Sequence, residues 1–215
     1  MQDFCRGLLG ASLCLSFFLM LNVQSAKAQF GIGLTASNDL YNIYSNPEDG
    51  IAHRRNGSVI LNLALGPKIW VGGEKFSVSV ESQANISFLG LAIKDYKGLG
   101  AVSFPIMGKL NFGGLSGLNN KMTFGMSVGG GIQYNRTEIY GLTDEFVELG
   151  VVRDYFKTYN VQLGGGVGVS GFTVELFGRY GFNPDLIGAN NFHVGLQFGF
   201  NIIQLKKIRK PESEL

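Results

Sequence analysis

The chain has 215 residues, 16% of them charged, and a formal net charge of +2. The charged fraction lies below the roughly 25% that is typical of soluble domains, and the near balance excludes the strongly basic class of nucleic-acid-binding proteins. With 32 glycines and 12% aromatic residues, the composition favours many short strands over long helices.

Residues 1–28 are predicted to be a cleaved signal peptide. Arg6 precedes an apolar run over 8–23, and Ala26, Lys27 and Ala28 form an A-x-A cleavage motif. A transmembrane anchor is the alternative, but the run is short for a helical span and no stop-transfer charges follow it. Both cysteines, Cys5 and Cys14, would leave with this segment, which excludes a disulfide, a thiol catalyst or a cysteine metal site in the mature chain.

Strict alternation of apolar and polar residues defines the rest of the chain. The clearest case is 191–203, where Phe192, Val194 and Leu196 share one face while His193 and Gly195 share the other. The pattern predicts an all-β fold, an eight-stranded antiparallel up-and-down transmembrane β-barrel over 29–203, followed by a short basic and polar periplasmic tail over 204–215. The predicted strands are 30–37, 58–71, 76–87, 101–112, 122–134, 159–169, 172–182 and 191–203.

Three features favour a membrane barrel over a soluble, lipocalin-like ligand-binding barrel. The connections alternate between long and short, the predicted apolar face carries no charge, and aromatic residues gather at both ends of that face. The predicted lipid-facing girdles are Phe30, Phe76, Phe112, Phe124, Phe172 and Phe200 near the short turns, and Tyr134, Tyr159, Tyr180, Phe182 and Phe192 near the long loops.

The polar face carries few charges, and we expect these to form a network in the lumen. They are Lys68, Glu81, Lys109, Glu175 and Arg179. A charged ion path is one interpretation, whereas a paired structural plug suits the narrow bore of eight strands better.

Strand pairing can be predicted at the short turns. Pairing Val169 with Phe172 across the Ser170-Gly171 turn sets Gln162 opposite Arg179. Pairing Val71 with Phe76 sets Lys68 opposite Ser79 and diagonal to Glu81.

Three residues fit the strand pattern poorly. Pro67 and Pro105 fall inside strands and are predicted to mark bulges, because proline cannot donate to the ladder. Phe177 falls on the lumen side, where it would fill a gap lined by glycines.

No catalytic, cofactor or metal site is predicted. Residues 166–171 match the letters of a dinucleotide fingerprint, but a strand follows where that motif needs a helix. His53 and His193 are the only histidines, and neither has a nucleophile or a ligand set beside it in sequence.

The chain resembles the PorT-like family of small outer-membrane β-barrel proteins from Bacteroidetes-type bacteria. The stretches that carry this resemblance are 65–68, 102–109, Gly129-Gly130-Gly131 and the phenylalanine-rich terminal strand. It implies an eight-stranded barrel of OmpA or OmpX type, although the tail after residue 203 departs from barrels that end on an aromatic residue. The resemblance also implies envelope or secretion-system protein partners.

We therefore expect a non-enzymatic integral protein of the cell outer membrane, in contact with outer-membrane lipid and plugged in its lumen. Its long loops would act as a structural or surface-interaction region, with contact residues Tyr41, Tyr44, Glu145, Phe146 and Tyr155. An accessory subunit of an outer-membrane secretion or transport assembly is an alternative, and a soluble secreted ligand-binding barrel is another.

Overall fold

The structure is a computed structural model that describes residues 29–48, 55–59, 62–88, 99–118, 121–140, 144–148 and 153–205. The predicted signal peptide, His53 and nearly all of the predicted tail lie outside these residues. Within the described residues, no helix is long and apolar enough to cross a membrane.

Alternating residues build ten strand segments. Other regular elements are a 3-10 turn at Gly114–Ser116 and a short helix, α1, at Asp144–Glu148. The strands are β1 (Gln29–Ser45), β2 (Arg55–Val59), β3 (Asn62–Gly72), β4 (Phe76–Ser82), β5 (Ala84–Ser87), β6 (Leu99–Gly113), β7 (Thr123–Tyr140), β8 (Phe156–Val169), β9 (Phe172–Phe182) and β10 (Asn190–Leu205).

The ten segments close into a barrel of eight antiparallel strands. β2 and β3 both pair with β1, so together they form one strand of the barrel. β4 and β5 both pair with β3 and with β6, and together they form the next strand. The remaining neighbours follow chain order, and β1 pairs with β10 to close the ring. The predicted fold class is confirmed.

Two strands are much longer than predicted. β1 continues through Asp39 and Asn42 to Ser45, and β7 continues through Glu138 to Tyr140. These ends look like loops in the sequence because their inward side chains are polar or charged. A polar lumen accepts such residues, so the strands extend into the regions predicted as loops.

The prolines interrupt pairing without shifting the register. Pro67 pairs with Leu34 and Pro105 with Gln133, and no register shift occurs at either position. The break between β4 and β5 lies between the two prolines, where Gln83 N donates to Pro105 O at 3.1 Å. The prediction of bulges at these residues is therefore wrong. Because proline has no backbone N–H to donate, the ladder of hydrogen bonds between the strands is interrupted there instead.

Of the two strand registers predicted at short turns, the structure confirms one and contradicts the other. At Ser170-Gly171 both φ angles are positive, 47° and 91°, and Val169 pairs with Phe172 as predicted. At the β3–β4 turn the predicted register is wrong by two residues, because Val71 pairs with Val78. Gly73 N donates to Phe76 O at 2.8 Å, so the turn ends at the first residue of β4, and Gly72 rather than Val71 pairs with the next residue, Ser77.

The barrel is apolar outside and polar inside. Outward side chains such as Leu65 (61% exposed) and Leu163 (67% exposed) alternate with buried polar ones. Charges on the described outward strand positions are confined to Arg136 and Lys157, near the long-loop end. A closed barrel with this surface is an integral outer-membrane β-barrel, because a soluble barrel would place the apolar face inside.

The 3-10 turn closes the short-turn end of the bore. Leu115 and Leu118 are 2% and 8% exposed, and Ser116 Oγ donates to Glu74 O at 2.7 Å across the mouth. Gly171 N donates to Gly117 O at 2.9 Å, which ties this segment to the β8–β9 turn. The connection between β6 and β7 thus forms an apolar cap on this mouth.

Candidate functional site in the barrel lumen

All five predicted lumen charges lie inside the barrel. Their exposed fractions are 4% for Lys68, 3% for Glu81, 2% for Lys109, 4% for Glu175 and 3% for Arg179. Each of them lies an odd number of positions from the outward-facing residues of its strand, so its side chain points into the lumen and not into lipid. Their closeness in space depends on the barrel's closure, since they come from four separate strands.

Lys109 is the centre of this cluster. Its Nζ lies 2.6 Å from Glu175 Oε2 and 3.7 Å from Glu81 Oε2. Lys68 Nζ lies 3.6 Å from Glu81 Oε1, and the two residues pair directly across β3 and β4, where the predicted register had them diagonal. Two ammonium groups and two carboxylates therefore form one alternating chain of charge.

Neutral side chains satisfy the remaining carboxylate oxygens. Ser127 Oγ donates to Glu175 Oε1 at 2.6 Å, and Gln197 Nε2 donates to Glu81 Oε2 at 2.6 Å. Ser79 Oγ donates to Glu81 Oε1 at 3.1 Å. Buried carboxylates need such donors to offset their desolvation, and both carboxylates have them.

Arg179 is held by amides and an aromatic ring. Its Nε donates to Gln162 Oε1 at 2.9 Å, and its guanidinium carbon lies 5.1 Å from the centroid of the Phe177 ring. No carboxylate of the described residues lies within ion-pair distance of it. Gln162 links it to the cluster, because Gln162 Nε2 donates to Glu175 Oε1 at 3.4 Å.

Phe177 fills a space that two glycines leave. It is 1% exposed and pairs with Gly164 and Gly195 on the neighbouring strands. A Cβ on Gly195 would lie 3.0 Å from Phe177 Cζ, so only glycine leaves room for the ring at its present position. Phe177 therefore lies in the lumen, where the alternation placed it, and fills a gap lined by glycines as predicted.

Sequence reasoning missed a second buried pair, Asp39 and His193. Asp39 Oδ2 lies 2.6 Å from His193 Nδ1 and also accepts from Asn85 Nδ2 at 3.2 Å. His193 was placed in the lumen by its alternation, but Asp39 fell in a predicted loop. The alternation of Ser37 and Asp39 with the apolar Leu34 and Ala36 would have been the signal to extend β1.

Contacts run without interruption from Asp39 to the lysine cluster. His193 Nε2 lies 3.5 Å from Gln133 Nε2, and Gln133 Oε1 accepts from Arg179 Nη1 at 3.5 Å. Arg179 then reaches Glu175 through Gln162, as described above. Most of the length of the bore is therefore occupied by side chains in mutual contact.

A further buried charge pair lies near the long-loop end. Arg153 Nε lies 3.4 Å from Glu138 Oε2, and Arg153 Nη1 lies 3.5 Å from Glu48 Oε2. Tyr44 Oη donates to Glu138 Oε1 at 3.1 Å. Tyr44 is 7% exposed, so its prediction as a loop contact residue is wrong: it lies in β1 and faces inward.

The other predicted loop contacts have varied positions. Tyr41 is 40% exposed on the outer wall, and Tyr155 is 53% exposed beside Arg136, whose guanidinium carbon lies 5.7 Å from its ring centroid. Glu145 and Phe146 belong to α1.

The predicted girdle residues all face outward. Phe76 and Phe112 pack with ring centroids 5.3 Å apart, and Phe172 and Phe200 pack at 5.1 Å, both near the short-turn end. The exposed fractions of the full set lie between 37% and 68%, for Phe30, Phe76, Phe112, Phe124, Phe172, Phe200, Tyr134, Tyr159, Tyr180, Phe182 and Phe192.

The dinucleotide-like motif and His193 have structural surroundings that the structure describes, whereas His53 lies outside the described residues. Residues 166–171 run from β8 through the hairpin turn toward β9, without a helix. Among the described residues, no group of three or more His, Cys, Asp or Glu side chains is arranged to hold a metal ion. His193 Nε2 faces the Gln133 amide.

The chain is similar in fold to small β-barrels of known structure. The N-terminal β-barrel domain of Pseudomonas aeruginosa OprF covers 79% of this chain and 97% of its own, with 9% identity and a TM-score of 0.41. Neisserial surface protein A covers 81% and 99%, with 10% identity and a TM-score of 0.45. The outer membrane protein OprG of Pseudomonas aeruginosa covers 82% and 98%, with 14% identity and a TM-score of 0.40. No family model and no curated protein matches the chain.

Proposed function

We propose that this protein is a non-enzymatic outer-membrane barrel with a plugged lumen, which acts through its external loops as a structural and surface-interaction protein. The observation that carries the proposal is the filled bore. The Lys109-centred cluster occupies its middle, and the cap formed by Leu115 and Leu118 covers the short-turn mouth. A bore filled in this way favours a role at the outer surface over transport.

The long-loop end offers exposed apolar side chains for contacts. Ile187 is 81% exposed, Val147 is 60% exposed and Tyr155 is 53% exposed. These residues lie on loops beyond the strand ends, where side chains outside the lipid are free to meet another molecule. A surface partner, or an envelope protein of the PorT-like kind that the sequence resemblance implies, would meet this end.

A labelling experiment tests the orientation that this function requires. The predicted mature chain contains no cysteine, so I187C introduces a single thiol at the long-loop end and G73C introduces one at the opposite end. In intact cells, a membrane-impermeant maleimide should label I187C and should label G73C only after the cells are broken. Labelling of G73C alone in intact cells would reverse the orientation and remove the surface role.

A further inference from the structure

Two cations interrupt the apolar outer wall, and both lie at its long-loop end. Arg136 on β7 and Lys157 on β8 carry the charges at the outward strand positions whose side chains the structure describes. At the short-turn end, the described outward strand positions carry no charge, and the wall ends there in phenylalanines such as Phe112 and Phe200. The two rims of the outer wall therefore differ in charge, and the long-loop rim is positive.

The strand register places the two cations side by side. Tyr134 on β7 pairs directly with Lys157 on β8, and Arg136 follows Tyr134 by two positions on the same outward face. Arg136 is therefore the diagonal neighbour of Lys157, at a backbone separation of about 7–8 Å. Both side chains are long enough to reach a single group that lies between them.

Aromatic rings hold both side chains against the wall without neutralising them. Lys157 Nζ lies 4.7 Å from the centroid of the Tyr159 ring, and the Arg136 guanidinium carbon lies 5.7 Å from that of Tyr155. Arg136 Nε also donates to the Arg153 carbonyl oxygen at 2.9 Å. In the part of the chain that the structure describes, no carboxylate lies within ion-pair distance of Arg136 or Lys157. Their two positive charges are thus positioned but unpaired.

The depth of Lys157 matches the lipid headgroups. It lies six positions along β8 from Leu163, near the middle of the apolar wall. With a rise of about 3.4 Å per residue and a strand tilt of about 40°, this separation is about 15 Å along the membrane normal. An apolar band about 25 Å tall ends about 12 Å from its middle. Lys157 therefore stands just past the edge of the hydrocarbon, where headgroups surround the barrel.

We propose that Arg136 and Lys157 form a binding site for the phosphate group of an anionic lipid headgroup. A guanidinium and an ammonium group together suit phosphate, through a donor fork and a point charge. Two unpaired cations favour a phosphate monoester, which carries a charge of about −1.5 to −2, over a diester with a single charge. The occupant is a lipid because the site lies on the lipid-facing wall, at headgroup depth.

Native mass spectrometry of the purified barrel in nonionic detergent tests the site. The parent should bind phosphatidic acid, a phosphate monoester, more tightly than phosphatidylglycerol, and phosphatidylcholine most weakly. R136Q/K157Q should weaken phosphatidic acid binding about thirtyfold, and each single variant about fivefold, because a basic residue near a membrane surface contributes about that factor. R136K/K157R keeps both charges and should bind nearly as well as the parent.

The matched control removes the same charge from the opposite end of the barrel. K75Q/K121Q replaces two exposed lysines of the short turns, so its net charge equals that of R136Q/K157Q. Its affinity for phosphatidic acid should match that of the parent. Thermal unfolding in lipid-free detergent should give similar midpoints for both double variants, since all four side chains lie on the outer surface.

Three results would overturn the proposal. Equal losses in the two double variants would show that net charge alone governs binding. Equal affinity of the parent for phosphatidic acid and phosphatidylcholine would show that the phosphate charge is not recognised. Displacement of the lipid by millimolar inorganic phosphate would show that the site takes a free anion. None of these results depends on the orientation of the barrel, so they leave the proposed surface role to its own labelling test.

Discussion

Lys109 Nζ and Glu175 Oε2 lie 2.6 Å apart across the lumen, although their strands, β6 and β9, are not neighbours in the sheet. The ion pair therefore ties opposite walls of the barrel together. Arg179, four residues further along β9, donates instead to the Gln162 amide oxygen at 2.9 Å.

Removing Glu175 should destabilise the barrel strongly. Glu175→Ala leaves Lys109 buried with only the more distant Glu81, and we expect a loss of about 3–5 kcal/mol in the free energy of unfolding. Urea titration in detergent or lipid measures this loss. The control is Glu148→Ala on the exposed face of α1, which should change the free energy by less than about 0.5 kcal/mol.

A double-mutant cycle with Lys109→Met shows whether the pair itself is responsible. The double variant should lose less than the sum of the two single variants, by about 0.5–3 kcal/mol, because it no longer leaves one charge unpaired. Strict additivity would show that the two groups act independently, which would contradict the structure.

An arginine on the outward face should lower the free energy of unfolding more when it lies deeper in the membrane. Leu163→Arg, at a position 67% exposed near the middle of β8, should cost about 2–4 kcal/mol. Met122→Arg, at a position 69% exposed beside the short turn, should cost only about 0–1 kcal/mol. Refolding into vesicles followed by urea titration compares the two, and equal losses would argue against a lipid-facing wall.

The sequence suggests Ser127→Arg as a benign lumen comparison for these variants, and the structure shows why it is unsuitable. Ser127 is 4% exposed and donates to Glu175 Oε1 at 2.6 Å. Arginine there would have to displace the ion pair. Alternation shows that Ser127 points inward, but only the closed barrel shows how full the interior is.

Local periodicity predicted the barrel because each strand has a period of two that owes nothing to distant residues. It assigned Lys68, Lys109 and Glu175 to the lumen for the same reason. It could not supply the Lys109–Glu175 contact, which depends on the diameter and closure of the barrel. It also missed Asp39, because polar residues at a strand end look like the start of a loop.

Replacing two strand glycines, Gly164 and Gly178, with alanine should have different effects on stability. A Cβ on Gly164 would lie 2.0 Å from Glu175 Oε1, whereas a Cβ on Gly178 would have no atom within 4 Å. Gly164→Ala should cost about 1–3 kcal/mol, because Glu175 must leave Lys109 and Ser127 to make room. Gly178→Ala should be neutral or stabilising by about 0.4–1 kcal/mol, since alanine restricts the unfolded chain.

Thermal unfolding of the two glycine variants in the same detergent provides the comparison. The Gly164 variant should melt below the parent, and the Gly178 variant at or above it. If both variants melted alike, the carboxylate of Glu175 would have to be free to move, and the cluster would not be rigid.

Two tyrosines lie close together in β1, one facing inward and one facing outward, and removing their hydroxyls should have different effects on stability. Tyr44→Phe removes the hydroxyl that donates to Glu138 Oε1 at 3.1 Å and should cost about 1–3 kcal/mol, because a buried carboxylate loses a donor. Tyr41→Phe, at a side chain 40% exposed on the outer wall, should lie within about 0.5 kcal/mol of the parent. Urea titrations should place the two variants apart, and the reverse order would show that the end of β1 faces the other way.

The last prediction concerns conduction, where a plug and a pore differ most clearly. The parent protein, reconstituted in planar bilayers, should show no steady conductance, since side chains fill the bore from Asp39 to Lys68 and Leu115 closes one mouth. Glu175→Ala should lose stability without gaining a selective current, because the neighbouring side chains still obstruct the path. Truncating the cap with Leu115→Ala should likewise leave the bilayer silent, since the charged cluster remains above it. A steady current through the parent whose ion selectivity changed in the Glu175 variant would show a wet, conducting lumen and would rule out the plug.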